Sequence, residues 1–240
     1  MAYLNGKPLN TQPVLILQPA QAAERLSEGL TLVCLIRHGQ TDWNLSKRLQ
    51  GRENIPLNNT GHDQAEKLAA LVTRMKKDGV NFSAVCTSPL MRAKHTADYI
   101  SQSLGLGEPA VIEALIERDY GDLSGLTFDE RRAKYPKGDK FNVRVETVPV
   151  AAKRMLLAVD HMLQVSHGKT VIGVSHGGII NAVFSYLTSG EIGTGRNLSV
   201  NCGISLLLAG QGQYVPVAFN LQNGSAVDYM KRLKYKYSNI

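Results

Sequence analysis

The sequence predicts an α/β protein built on a mixed sheet. Two observations carry the prediction. From Leu32 onward, apolar runs of strand length alternate with longer stretches of helical periodicity, which is the order of βαβ units. Toward the end, two apolar runs at 203–209 and 214–219 are separated only by Gly210-Gln211-Gly212-Gln213, and so short a connection joins antiparallel neighbours. Parallel and antiparallel pairs therefore share one sheet. The composition agrees: 240 residues, 43% hydrophobic and 20% charged, describe a globular chain of enzyme size and not a disordered one. A chain of this length buries about 70% of the surface it exposes when unfolded, so it needs no disulfide or metal staple.

Taken in order, Asn5-Gly6 is a tight-hairpin signal, residues 14–17 (VLIL) are strand-like, and 20–28 suit a short helix ending near Gly29. Residues 1–31 read as an N-terminal extension. The run 32–36 (LVCLI) is apolar throughout, as a strand buried on both faces must be. A helix over 60–77 and a strand over 82–87 follow. Ser88 can cap the next helix, 90–104, with Pro89 in its first turn. Then come a strand at 109–113, helices at 127–135 and 147–165, a strand at 170–175 and a helix at 177–188. Thr147, with Pro149 just inside, marks the start of the long helix. The least regular stretch, 134–144, is expected to cover the site. No repeat or low-complexity linker divides the chain, so a main domain at 32–220 is followed by a basic tail, 221–240.

The formal charge of +7, from 27 basic and 20 acidic residues, suits anionic ligands. Part of it sits in Lys231, Arg232, Lys234 and Lys236, which face only Asp228 in sequence and read as a solvated tail. The longest apolar run, 30–36, falls far short of the roughly 18 residues that cross a bilayer. With Lys7 as its one early basic residue and no h-region, the N-terminus does not read as a secretory signal, and a cytoplasmic protein is expected. Cys34, Cys86 and Cys202 lie in or beside apolar stretches and read as buried thiols. The six histidines show no HxxxH or HExxH spacing, so no metal site is expected.

Polar groups collect at the carboxyl ends of three strands, where open α/β sheets bind ligands. The first strand runs directly into Arg37-His38-Gly39-Gln40-Thr41-Asp42-Trp43-Asn44. The strand ending at Ser175 delivers His176-Gly177-Gly178 at the start of a helix, whose free N–H groups and dipole favour an anion. The third opens into Thr87-Ser88-Pro89-Leu90-Met91-Arg92, with Arg92 one turn into its helix. Arg37, Arg92, His38 and His176 would together surround one dianion, the planar guanidiniums giving bidentate contacts. That is the composition of a phosphate pocket. His62, His95, His161 and His167 lack such a context and read as structural.

Four motifs in this order, LIRHGQTDWN (35–44), TSPLMRAKHTA (87–97), LIERDYGDLSGLTFDE (115–130) and VSHGG (174–178), resemble the histidine phosphatase superfamily, in the branch of cofactor-dependent phosphoglycerate mutases and broad-specificity phosphatases. LQGRENIPLNNTGHDQA (49–65), Glu146-Thr147 and Arg154 add lesser matches. The resemblance implies a three-layer αβα sandwich around a mixed, mainly parallel sheet. It implies His38 as a nucleophile that becomes phosphorylated, and Glu117 as proton donor. Arg37, Arg92, Asn44, Gln50 and Gly51 would contact the phosphoryl group or substrate, and His176 with the Gly177 amide would stabilise the group in transit.

The activity so implied is metal-independent hydrolysis of phosphomonoesters of small metabolites, with no cofactor. A mutase ranks second, because the mutases carry a longer insertion than this chain has between Glu117 and His176. A silent phospho-ligand binding module would have lost His38 or Glu117, and both are present. The expected partner is a small phosphorylated substrate, with no specific nucleic acid and no membrane; a homodimer is left open. Asn54 stands where many of these phosphatases have Asp, and Val145-Glu146-Thr147 where Gly-Glu-Ser is common, so the substrate itself stays open.

Overall fold

The computed structural model describes residues 3–4, 7–136 and 144–237. In chain order its strands are β1 (Tyr3–Leu4), β2 (Lys7–Pro8), β3 (Val14–Leu15), β4 (Thr31–Arg37), β5 (Phe82–Thr87), β6 (Ala110–Val111), β7 (Thr170–Ser175), β8 (Ile204–Gly210) and β9 (Gln213–Leu221). Its helices are α1 (Pro19–Ser27), α2 (Asp42–Leu45), α3 (Asn59–Lys77), α4 (Met91–Leu104), α5 (Phe128–Lys134), α6 (Val148–Ser166), α7 (Gly177–Leu187) and α8 (Asn223–Tyr237).

The main sheet has the order β3-β9-β8-β4-β7-β5-β6. The pairs β4–β7, β7–β5 and β5–β6 are parallel, whereas β8 lies antiparallel to both β4 and β9, and β3 antiparallel to β9. β4 shows why its sequence lacks alternation. Leu32, Cys34 and Ile36 enter one core, with residues of α1, α3, α4 and α8; Val33 and Leu35 enter the other, with residues of α6 and α7. Helices thus cover both faces, and the result is a three-layer α/β sandwich with a mixed, mostly parallel sheet.

Several elements differ from expectation. The strand expected at 109–113 shrinks to β6, because the chain turns into a 3₁₀ turn at Glu113–Leu115 that carries it away from the sheet edge. α2 was not expected; its Thr41 hydroxyl accepts from Asn44 N–H while the Asn44 amide oxygen accepts from Thr41 N–H, a reciprocal cap on one short turn. β1 and β2 pair antiparallel, but the Asn5-Gly6 turn between them lies outside the described residues, as do 137–143 of the irregular stretch. Ser88 and Pro89 precede α4 and do not open it; Leu90 is the N-cap residue, without a side-chain cap. Thr147 is the N-cap of α6, but its side chain makes no cap bond.

The segment read as a solvated tail is instead α8. Ala226, Val227, Met230 and Leu233 recur at helical spacing and are buried together with Tyr229. α8 packs on α1 and α3, and Lys231 on its outer side reaches Asp78 at 3.4 Å. Exposed Lys231 and Arg232 hid an apolar stripe in the same stretch of sequence. The first residues also join the main body: β3 pairs with β9, and the Ile16 and Leu17 N–H groups donate to Val217 O at 2.9 and 3.0 Å. Among the described residues no helix is long and apolar enough to cross a membrane.

Candidate active site

β4, β7 and β5 are neighbours in the sheet, so their carboxyl ends deliver Arg37-His38, His176 and Ser88 to one place. Backbone bonds fix the exits: His38 N–H donates to Ser175 O, and Ser88 N–H to Val174 O, both at 3.0 Å. The two imidazole rings lie with centroids 5.2 Å apart.

The protonation of His38 follows from its neighbours. Its Nδ1 is 2.6 Å from Gly39 O, a pure acceptor, so Nδ1 carries the hydrogen. Its Nε2 accepts from Arg92 Nε–H at 3.2 Å, and since arginine only donates, Nε2 holds the lone pair. The ring is buried, and burial together with the charges of Arg92 and Arg37 pushes its pKa well below the ordinary imidazole value. His38 is therefore a neutral imidazole whose Nε2 carries the lone pair. The loop carrying it is held by a close approach of two glycines: a Cβ on Gly39 would meet Gly61 O at 2.5 Å, and one on Gly61 would collide with Gln40 O. This is the structural reason for the glycine within 49–65.

Arg92 is fully buried, yet no carboxylate neutralises it through a hydrogen bond. Its NH1 and NH2 donate to the carbonyls of Glu53 (2.6 Å) and Gly51 (2.9 Å). Burial lowers its pKa to about 10, which leaves it charged at neutral pH. Asn54 Oδ1 accepts from Met91 N–H at 2.8 Å, so the same loop supplies the cap that α4 lacks. Arg37 lies over the start of α7: its NH1 donates to Ser199 O at 2.5 Å, and its Nε is buried without a partner. A Cβ on Gly177 would come within 3.2 Å of that Nε.

His176 Nε2 is 2.7 Å from Ser88 Oγ, which itself accepts from Leu90 N–H at 3.3 Å. Its Nδ1 is buried without a partner. Burial, then Arg92, His38 and Arg37, lower its pKa well below the ordinary value. Glu117 arrives from the segment after the 3₁₀ turn and sits on the N-terminus of α7. Gly178 and Ile179 N–H donate to its carboxylate at 2.9 and 2.8 Å, and Arg118 N–H at 2.8 Å. The helix N-terminus expected to receive substrate thus holds a protein carboxylate at Gly178 and Ile179.

Glu146 and Arg154 turn out to support that carboxylate's turn. Arg154 donates Nε and NH2 to Glu146 at 2.9 and 2.8 Å, and NH1 to Ala114 O and Ile116 O at 2.8 and 2.7 Å. Burial disfavours the Glu146 charge, but the Arg154 bonds and the Asp119 N–H outweigh it and lower the pKa. The structure also places the remaining expected residues. Asn44 Oδ1 accepts from Thr41 N–H and Asn201 Nδ2, both at 3.2 Å, which leaves its NH2 end for an acceptor. Gln50 is buried with an unpartnered Oε1, and Gly51 takes φ +53° while its carbonyl holds Arg92.

Sequence reasoning missed Tyr120, Asn201 and the role of Ser88. Tyr120 OH lies against Gly178, where a Cβ would collide with it, and burial with the Glu117 charge raises its pKa. Only its place in ERDYG could have flagged it. Among the described residues no three His, Cys, Asp or Glu side chains are grouped to hold a metal ion.

Two buried neutral imidazoles, two guanidiniums and a carboxylate gathered in one place have the composition that phosphoryl chemistry needs. The comparisons agree: residues 33–222 match the histidine phosphatase superfamily (branch 1), and the chain belongs to that family. It is an enzyme of the phosphatase or mutase kind. The chain is 39% identical over 163 residues to an uncharacterized phosphatase, PhoE, of Bacillus subtilis (strain 168), covering 68% of this chain and 80% of that one. It is 33% identical over 189 residues to a 2,3-bisphosphoglycerate-dependent phosphoglycerate mutase of Methylorubrum extorquens (strain PA1), covering 73% and 88%. Among solved structures, a mycobacterial glucosyl-3-phosphoglycerate phosphatase aligns with TM-score 0.65 and 26% identity over 80% of this chain and 99% of its own. A phosphoserine phosphatase from Entamoeba histolytica, in complex with 3-phosphoglyceric acid, aligns with TM-score 0.63 and 29% identity over 80% and 98%.

Proposed function

We propose that the protein hydrolyses phosphomonoesters of small metabolites through a phosphohistidine on His38, without a metal ion. The observation that carries this reading is the fixed tautomer of His38, whose Nε2 lone pair points to Arg92 in a buried, cationic pocket. As Arg92 Nε–H turns from Nε2 to a phosphoryl oxygen, the freed Nε2 lone pair attacks phosphorus and the bond to the ester oxygen breaks in line. Arg37, Arg92, the Asn44 amide and His176 Nδ1 offset the charge on the equatorial oxygens. The Glu117 carboxylate takes the acidic proton of the monoanionic ester and gives it to the departing alkoxide. In the second half Glu117 takes a proton from water, the water oxygen attacks phosphorus, and the P–N electron pair returns to Nε2.

The positive charge this requires is already present in the guanidiniums, which supports chemistry without a divalent cation. Purified protein should therefore hydrolyse members of a phosphomonoester panel in EDTA. Activity abolished by EDTA and restored by magnesium would overturn the reading. A phosphoglycerate mutase is the second reading, favoured by the 33% identical relative. It ranks lower because, among the described residues, a 3₁₀ turn at Gly121–Leu123, α5, α6 and β7 are the regular elements between Glu117 and α7, little structure to keep water from a phosphohistidine. Conversion of 3-phosphoglycerate to its isomer faster than release of phosphate would reverse the ranking.

A further inference from the structure

We propose that residues 9–12, which lie outside the family match, act as a clamp that positions the phosphate pocket through the turn at 198–202, with Asn220 as the coupling residue. The inference rests on the proposed function only for what the pocket binds.

The chain between α7 and β8 contains no helix or strand, so its backbone groups must find partners elsewhere. Part of them pair within the segment or with α7, as Asn197 N–H does with Gly193 O and Thr194 N–H with Asn181 O, and two further sets of contacts hold residues 196–202. On one side lies the N-terminal segment. Asn10 pairs with Asn197 in a parallel bridge, Asn10 N–H donating to Arg196 O at 3.3 Å and Leu198 N–H to Asn10 O at 2.8 Å. Thr11 O accepts from Asn220 Nδ2 at 2.7 Å and from Gln222 Nε2 at 2.9 Å. Asn220 is fully buried, adopts φ +60°, and with its Oδ1 accepts from Val200 N–H at 2.8 Å. One side chain thus ties Thr11 to Val200.

On the other side lies the pocket. The residue before Val200 holds Arg37 through the Ser199 carbonyl, at 2.5 Å. The residue after it, Asn201, donates Nδ2 to His38 O at 3.0 Å and to Asn44 Oδ1 at 3.2 Å. Cys202 N–H donates to Arg37 O at 2.9 Å. Among the described residues Ser199 O is the one hydrogen-bond acceptor of the Arg37 guanidinium, whose Nε is buried without a partner. A shift of this turn therefore re-aims Arg37 directly, and displacements near 1 Å at a positioning group are enough to weaken catalysis about a hundredfold.

Coupling of this kind is reciprocal, so each end reports on the other. The test uses inorganic phosphate as ligand. A chain starting at Gln12 and the variant Asn220→Asp, which keeps the acceptor for Val200 and removes the donor to Thr11, should melt cooperatively. Each should bind phosphate about fivefold or more weaker than the full chain, with kcat/KM falling in parallel. In the full chain, phosphate should slow amide exchange at Asn10, Leu198 and Val200. Unchanged phosphate affinity in a folded truncated chain, or unchanged exchange at those amides on binding, would overturn the clamp. If the variants do not fold, the exchange experiment on the full chain decides alone. Phosphate binding with the expected protection but no ester hydrolysis would remove the proposed function and leave the clamp; no phosphate binding at all would remove both.

Discussion

Acidification should destabilise the fold through His38 and His176, which are 2% and 0% exposed. In the unfolded chain an imidazole takes up its proton near pH 6.5; in the folded chain burial and the charges of Arg92 and Arg37 hold both rings neutral well below that value. The unfolded state then binds more protons, so stability rises with pH. It is fully present above about pH 6.5 and is lost as pH falls toward the depressed folded values. A group half protonated at 6.5 when unfolded and neutral when folded loses about 1 kcal/mol of stability between pH 6.5 and 5.5, and the two together about 2 kcal/mol. Urea unfolding of the wild type, His38→Asn and His176→Asn at several pH values from about 7.5 to 5.5 measures this. Each variant should lose about 1 kcal/mol less than the wild type across that step, other titrating groups cancelling in the comparison. Parallel pH curves for all three would refute the picture of buried neutral imidazoles.

His38→Ala should abolish turnover but keep phosphate affinity, since the carbonyl tethers of Arg92 and Arg37 remain. Radiolabelled phosphate should be trapped in acid-labile form on the wild type alone, and label on serine or aspartate would contradict the mechanism. Glu117→Gln should slow alkyl phosphates about 100- to 10,000-fold while hardly affecting nitrophenyl phosphate, because only a poor leaving group needs the proton. Equal slowing would make Glu117 a positioning group and turn attention to Asp119 or Asp122. Arg154→Leu should cost less than the roughly 3–5 kcal/mol of a fully orphaned buried charge, since Arg52 at 3.8 Å and the Asp119 N–H still face Glu146, and should lower kcat more for alkyl than for aryl esters as the Glu117 turn loosens. Equal losses for the two ester types would limit Arg154 to stability.

The pocket was legible where one short stretch of chain both ends a strand and supplies the chemistry. Arg37, His38 and His176 follow apolar runs directly, and Arg92 sits one turn into the helix after a third run. What escaped reading depends on partners far apart in sequence. Ser88 looks like a helix cap because serine before proline usually is one, and only the approach of β7 to β5 gives it His176 instead. Likewise, nothing local in Asn220 announces that it bridges Thr11 and Val200. α8 was lost for a different reason: four basic residues in a short stretch outweighed an apolar stripe whose spacing had to be read through them.

The guanidinium of Arg92 is hydrogen-bonded to two carbonyls and His38 and to no acid, so its positive charge faces the pocket with Glu117 acting on it only through space. A pocket that attracts the phosphoryl group of an ester attracts inorganic phosphate for the same reason, and with less steric hindrance. Departure of the product is then uphill in the same field that assists bond cleavage. Turnover on good substrates should be limited by phosphate leaving, and phosphate accumulating in the medium should act as a competitive inhibitor.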